Sequence, residues 1–260
     1  MDGEREVLYE VRDAVARLTL NRPDKRNPLG PSTIGELIAA FERARDDASV
    51  RAIVVTGAGK VFSAGGDLSA MGTPSGTRIA GTLPDLFLLM ARVGKPIVAM
   101  VNGHAMAGGL GLVAACDLAI ASDEAEFATP EINVGLWPMM IMALIFRNVG
   151  RKRGLELVLT GDRIKAEEAA RIGLINRAVP KERLAAEVDA LCAKLASKSP
   201  KVMALGLAGF HAAEDLALEP ALAELQRRVV EVLATDDARE GLTAFLEKRA
   251  PVWPSAKPGQ

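Results

Sequence analysis

Phe62-Ser63-Ala64-Gly65-Gly66-Asp67 and Asn102-Gly103-His104-Ala105-Met106-Ala107-Gly108-Gly109-Leu110-Gly111 are glycine-rich turns, each following a buried-strand pattern and each expected to open a helix. The first amides of a helix have no intrahelical acceptor, and the helix dipole adds positive potential there. A side-chain-free turn lets another molecule approach those amides closely. Together they suit the stabilisation of a negative charge that develops during a reaction. One such turn is common, and two in one chain are informative.

The elements that must position these turns are legible from periodicity. Ala16, Leu18 and Leu20 alternate with Arg17 and Thr19, so residues 7 to 20 read as two short strands of a half-buried sheet. Pro23 and Pro28 end that pattern. Ile34, Leu37, Ile38 and Phe41 have helical spacing behind a Thr33-x-x-Glu36 capping box. Ala52-Ile53-Val54-Val55-Thr56 is a continuous apolar run suited to a strand covered on both faces. Leu83 to Val93 reads as helix, Pro96 to Val101 as strand, and Leu118 to Ala121 as strand. Strands alternating with helices predict parallel pairing with right-handed crossovers. Residues 71 to 81 have loop composition and are expected to form a mobile lid.

Beyond Pro180 the strand pattern stops. Leu184, Val188, Leu191, Cys192 and Leu195 share a helix face, Pro200 interrupts, and helix is expected from Met203 to Leu233 and from Glu240 to Lys248. A helical tail with no low-complexity linker suggests packing or oligomerisation, with a core over residues 1–198 and a helical region over 199–260.

Composition narrows the partners. The chain has 260 residues, 49% hydrophobic and only 4% aromatic, so its interior is built from aliphatic side chains. A net charge of -1 offers no general attraction to nucleic acid or to an anionic membrane. The expected partner is a small molecule. Cys116 and Cys192 lie in apolar stretches, which fits buried free thiols in a reducing compartment. The charged N-terminus and the lack of a long apolar run lead to the expectation of a cytoplasmic protein. No metal-ligand spacing and no nucleophile-base-acid triad is evident, and no cofactor is expected.

Five segments in series resemble the crotonase superfamily, also called the enoyl-CoA hydratase/isomerase family, over nearly the whole chain. They are Asn21-Arg22-Pro23-x-x-x-Asn27-Pro28-Leu29, the Phe62 to Asp67 turn, Asn102-Gly103-x-Ala105-x-x-Gly108-Gly109, Phe127-x-Thr129-Pro130-Glu131-x-x-x-Gly135, and Thr160-Gly161-x-x-Ile164-x-Ala166-x-x-Ala169-x-x-x-Gly173-Leu174-Ile175. The resemblance implies an α/β fold of the ClpP/crotonase type, a spiral of ββα units with a C-terminal helical oligomerisation region. It implies an acyl-CoA thioester as substrate, with coenzyme A belonging to the substrate, and a homotrimer or a dimer of trimers.

The resemblance also implies roles. The amides of Gly66 and Gly108 become the oxyanion donors, and Glu131 the acid/base. Lys25 and Arg26 meet the nucleotide, Phe245 and Lys248 reach the adenine end of a neighbouring subunit's ligand, and Ala64 and Trp137 line the substrate site. Hydratases of the family usually carry a further glutamate on the helix after the second turn, and the position twenty before Glu131 is Gly111. With one carboxylate the preferred reaction is a double-bond shift from 3-enoyl to 2-enoyl thioester. Hydration of 2-enoyl-CoA is the nearest alternative, followed by decarboxylation, thioester hydrolysis, or a noncatalytic acyl-CoA binder. An apolar pocket would raise the carboxyl pKa, and Trp137, Met139, Met140, Ile141 and Met142 are expected to supply its walls. Asp67 is expected to cap a helix, His104 to face away from the pocket, and His211 to lie on the surface.

Overall fold

The computed structural model describes residues 5–67 and 81–256. The chain opens with a hairpin, β1 (Val7–Arg12) and β2 (Val15–Leu20), turned by Asp13 and Ala14 in the left-handed region. β3 (Pro28–Leu29) and α1 (Pro31–Asp46) follow. Pro31 occupies the first turn of α1, where a missing N–H costs nothing, and Gly30 is the N-cap. Thr33 and Glu36 do not form the expected capping box. The Thr33 hydroxyl is shared between the Glu6 carboxylate and Pro28 O, while Glu36 accepts the Val7 amide at 2.9 Å. Both side chains join α1 to the start of β1, whose residues lie within hydrogen-bond reach.

Next come β4 (Ala52–Gly57), β5 (Val61–Ser63), β6 (Gly65–Gly66), α2 (Leu83–Arg92), β7 (Ile97–Val101), β8 (His104–Met106) and α3 (Gly108–Ala114). The expected lid, residues 71–81, lies outside the described residues except for Gly81, and so do residues 68–70, which follow the first turn. The second half contains β9 (Leu118–Ser122), β10 (Glu126–Ala128), α4 (Met139–Asn148), α5 (Arg151–Thr160), β11 (Ile164–Lys165), α6 (Ala166–Arg171) and β12 (Arg177–Val179). The chain closes with α7 (Leu184–Ala196), α8 (Pro200–Ala213), α9 (Leu218–Leu233), α10 (Asp236–Leu246) and a 3-10 turn at Pro254–Ala256.

The larger sheet has the order β1-β2-β4-β7-β9-β12, antiparallel in the hairpin and parallel from β2 onward. β4 is buried along its full length. Ile53 and Val55 face the main core with Phe41, Phe62 and Phe127, whereas Val54 faces Val98, Ile120 and the Val188 and Cys192 face of α7. Burial on both faces is the reason its sequence is continuously apolar. A second sheet, β11-β10-β8-β5, lies across the core, and β3 pairs with β6 as a short parallel ribbon.

The helical tail differs from expectation at one point. Residues 214–217 break the expected long helix, and α9 returns against α8. A β-carbon on Gly209 of α8 would lie 3.2 Å from Arg228 Cδ and 3.6 Å from Leu225 Cδ2, so the two helices pack closely there. Pro200 begins α8, with the Ser199 hydroxyl accepting the Val202 amide. Both cysteines are buried and unpaired. Among the described residues, no helix is long and apolar enough to cross a membrane.

Candidate active site

The first turn hangs from β3. Arg26 O accepts the Ala64 amide at 2.9 Å, Pro28 and Leu29 pair with Gly65 and Gly66, and the Asp67 amide reaches Leu29 O at 3.4 Å. Gly65 has φ +91°, and a β-carbon on it would meet Ala107 Cβ at 2.5 Å, Met106 O at 2.8 Å and Gly108 N at 3.0 Å. Only glycine permits this approach of the two turns.

The second turn is less direct than the sequence suggests, since β8 stands between the buried strand and the helix. β8 pairs with β5 on one side and with β10 on the other. A β-carbon on Gly103 would fall 2.0 Å from Lys60 O, which accounts for that glycine. Ala107 adopts φ +50° and ψ −126°, a sparsely populated conformation for a non-glycine residue, and its amide is held by Ala128 O at 2.9 Å. α3 begins at the next residue. Gly111 is the first to bond back, to Ala107 O at 3.1 Å, so the amides of Gly108 and Gly109 have no helical acceptor. A β-carbon on Gly108 would lie 3.6 Å from Gly66 N. The two turns are therefore packed amide beside amide.

The pairing Ala128↔Met106 between β10 and β8 makes both strands leave the sheet at the same edge. Gly108 stands two residues past that pair on one strand, and Glu131 three residues past it on the other. Glu131 sits in a 3-10 helix, Pro130–Val134, anchored by buried Thr129, whose hydroxyl donates to Leu157 O at 2.8 Å. Glu131 Oε2 is buried without a hydrogen-bond partner. Burial pushes its carboxyl above the usual glutamate range, opposed only by a hydrogen bond to its own backbone. An unpartnered buried carboxylate oxygen costs stability, and such groups concentrate where a proton is to be moved.

Gly111 is not a vacancy. A β-carbon there would lie 2.2 Å from Ile141 Cγ2 and 3.4 Å from Phe87 Cζ, and Ile141 is itself buried. The volume that a side chain at position 111 would need is filled from α4. Of the expected pocket walls, Ile141 is buried, while Met139 and Met140 are 66% and 51% exposed. Trp137 is half-buried, and its carbonyl accepts the Met139 amide at the start of α4.

Lys25 and Arg26 are exposed beside the first turn, with Arg26 in the left-handed region. Half-buried Ala64 lies in the turn itself. Phe245 is 80% exposed at the end of α10, followed by exposed Lys248, and α10 packs chiefly on α8, α9 and the terminal 3-10 turn. Lys25, Arg26, Ala64 and Gly66 lie together at the first turn, Gly108 packs against that turn, and Glu131 follows the strand paired with β8, whereas Phe245 and Lys248 lie on the helical tail. The His104 ring accepts the Glu126 amide at 3.2 Å between β8 and β10. His211 is partly buried rather than freely exposed, edge-on to Phe210 and 3.1 Å from Glu214. The Asp67 carboxylate lies 3.8 Å from Arg22. Among the described residues no cluster of three His, Cys, Asp or Glu side chains could hold a metal.

Residues 10–256 match the model of the enoyl-CoA hydratase/isomerase family. The chain is 38% identical over 246 residues to enoyl-CoA hydratase domain-containing protein 3, mitochondrial, of Rattus norvegicus, covering 93% of this chain and 82% of the rat protein. It is 32% identical to 2,3-dehydroadipyl-CoA hydratase of Escherichia coli, covering 95% of this chain and 97% of that one. A solved enoyl-CoA hydratase of Mycobacterium smegmatis superposes with a TM-score of 0.91 at 37% identity, covering 96% of this chain and 99% of the other. Sequence, backbone and the facing glycine turns agree, and the chain belongs to the enoyl-CoA hydratase/isomerase family of the crotonase superfamily.

Proposed function

We propose that the protein shifts the double bond of an enoyl thioester of coenzyme A from the 3- to the 2-position. The amides of Gly66 and Gly108 hold the thioester oxygen, and the Glu131 carboxylate takes a proton from C2. Electrons move onto that oxygen to give a dienolate, and the protonated Glu131 returns the proton at C4. The double bond re-forms between C2 and C3 with no atom gained or lost. Each oxyanion donor contributes about 3 kcal/mol to lowering the barrier, and the positioned base a further factor of about 10² to 10⁴.

The observation that carries this reading is a single carboxylate with a buried, unpartnered oxygen beside the paired turns, while Ile141 closes the space over Gly111. One carboxyl group suffices for a proton returned to the same molecule, and a dry wall disfavours the ordered water that hydration needs. Hydration of 2-enoyl-CoA is the second reading, supported by the word hydratase in the names of the relatives. Purified protein given 3-enoyl-CoA and 2-enoyl-CoA separately distinguishes them. Conjugation of the first alone supports the isomerase, loss of the second supports the hydratase, and binding without turnover sinks both.

The exposed side chains of Lys25 and Arg26 fit the phosphates of the nucleotide. A stripe of exposed apolar residues on α9 and an apolar cavity of about 570 Å³ beside Trp253 support assembly through the helical tail, as a trimer or a pair of trimers. In such an assembly Phe245 and Lys248 would serve the adenine end of a neighbouring subunit's ligand.

A further inference from the structure

We propose that Asn27 is a positioning residue that sets the Gly66 amide, by pinning the segment from which the first turn is suspended. This deepens the oxyanion reading and rests on Gly66 being a donor, but not on the role of Glu131.

Asn27 is 1% exposed and adopts φ +53°, a conformation that asparagine tolerates better than other side chains do. Its Nδ2 faces three backbone acceptors, Ala58 O at 3.0 Å, Val61 O at 2.8 Å and Phe62 O at 3.2 Å. Its Oδ1 accepts the Arg22 amide at 2.9 Å. Its carboxamide therefore ties the residue 22–27 loop to the residues that run into the first turn.

The consequence is carried along the backbone. Asn27 O accepts the Ser63 hydroxyl at 2.8 Å, and the same oxygen of Ser63 accepts the Gly65 amide at 3.2 Å. Arg26 O holds Ala64, and β3 holds Gly65 and Gly66. Every bond that orients residues 64–66 from this side begins within two residues of Asn27. A β-carbon on Gly57 would come within 2.8 Å of Nδ2, so the amide fills its site without slack. Aspartate would set a carboxylate against three carbonyl oxygens. Glycine would keep the backbone conformation and lose all of the anchoring.

The test compares wild type with Asn27→Gly and Ser63→Ala by infrared difference spectroscopy of bound butanoyl-CoA labelled with ¹³C at the thioester carbonyl. This saturated thioester has no double bond to shift. Expected for wild type is a carbonyl band below that of the free thioester. In Asn27→Gly, measured at saturating butanoyl-CoA, the band should return toward the free value. Removing an oxyanion donor outright costs about 10² to 10³ in kcat, so misplacing one is expected to cost about 10- to 100-fold in kcat. Asn27→Gly with the wild-type band and kcat overturns the proposal, as does an unshifted band in wild type. Should Asn27→Gly fail to fold by circular dichroism, Ser63→Ala decides, because it breaks only the hydroxyl link. A smaller shift in the same direction is expected, and none overturns the proposal. Full turnover by Glu131→Gln together with a normal band would remove the proposed reaction and leave Asn27 in its role.

Discussion

Ile141 stands where a side chain at position 111 would have to go, its Cγ2 lying 2.2 Å and its Cβ 2.8 Å from the point that a β-carbon on Gly111 would occupy. The close contact makes the two positions one packing unit. Gly111→Ala forces Ile141 off its seat, an overpacking cost of about 1–3 kcal/mol, partly offset by about 1 kcal/mol of better helix propensity. Ile141→Ala alone should lose about 2–5 kcal/mol through the cavity it leaves. The double variant is expected to fall short of the sum by more than about 1 kcal/mol, because each change relieves the other. Urea unfolding at fixed protein concentration checks this, and additive losses would show that the contact is not a plug.

Glu131→Gln is expected to reduce turnover by about 10² to 10⁴ while leaving the fold intact. Its melting temperature should equal or exceed that of wild type, since an amide needs no desolvated charge. Near wild-type turnover would remove Glu131 from the acid/base role.

The pH dependence follows from the same burial. The folded-state pKa of Glu131 is raised, so between the unfolded and folded values the native state holds the proton more tightly. Stability from this group is highest below the unfolded value and falls as pH rises through that window, then levels off. Activity moves the other way, because the base works ionised, and kcat/KM should rise across the raised pKa to a plateau. Paired pH profiles of unfolding and of kcat/KM, with Glu131→Gln as reference, check both signs. A variant whose stability profile keeps the wild-type slope would assign that slope to other groups.

Lys25→Ala and Arg26→Ala should each raise KM for acyl-CoA, with little change in kcat. At an exposed site a charge contact is worth about 1 kcal/mol, which corresponds to roughly fivefold per residue. The effect should weaken with added salt and vanish for a pantetheine thioester, which lacks the nucleotide. An equal loss on both substrates would show that the loop, not the charge, had been disturbed.

Leu218, Leu222, Leu225 and Val229 are 76%, 58%, 41% and 49% exposed along one stripe of α9. A charge placed there should prevent assembly, since an unpaired buried charge costs several kcal/mol. Sedimentation of Leu222→Glu is expected to give a smaller particle than wild type. An unchanged mass would place the subunit interface elsewhere.

Strand and helix order was readable because burial leaves a period. Ala16, Leu18 and Leu20 alternate, β4 is continuously apolar, and the α7 face repeats at helical spacing. Short elements left less trace. β8 and β10 have three residues each, too few for a period, yet their pairing brings Gly108 and Glu131 to one edge. The Thr33 and Glu36 pattern was a valid local signal that lost to partners across the fold, Glu6 and Val7. Asn27 stood in the sequence only as one residue of the first motif, because its acceptors come from a segment some thirty residues away.

The amino-acid order by itself determined which residues could do chemistry, since glycine pairs, a carboxylate and the absence of one at position 111 are matters of residue type. It also determined the alternation that builds the parallel sheet. Tertiary structure decided what those residues face. Gly65 needs its missing side chain only because Ala107 and Gly108 arrive beside it, and the space over Gly111 is closed only because α4 lays Ile141 across it. Periodicity records burial along one element, whereas contact between elements distant in sequence depends on how their surfaces fit once packed.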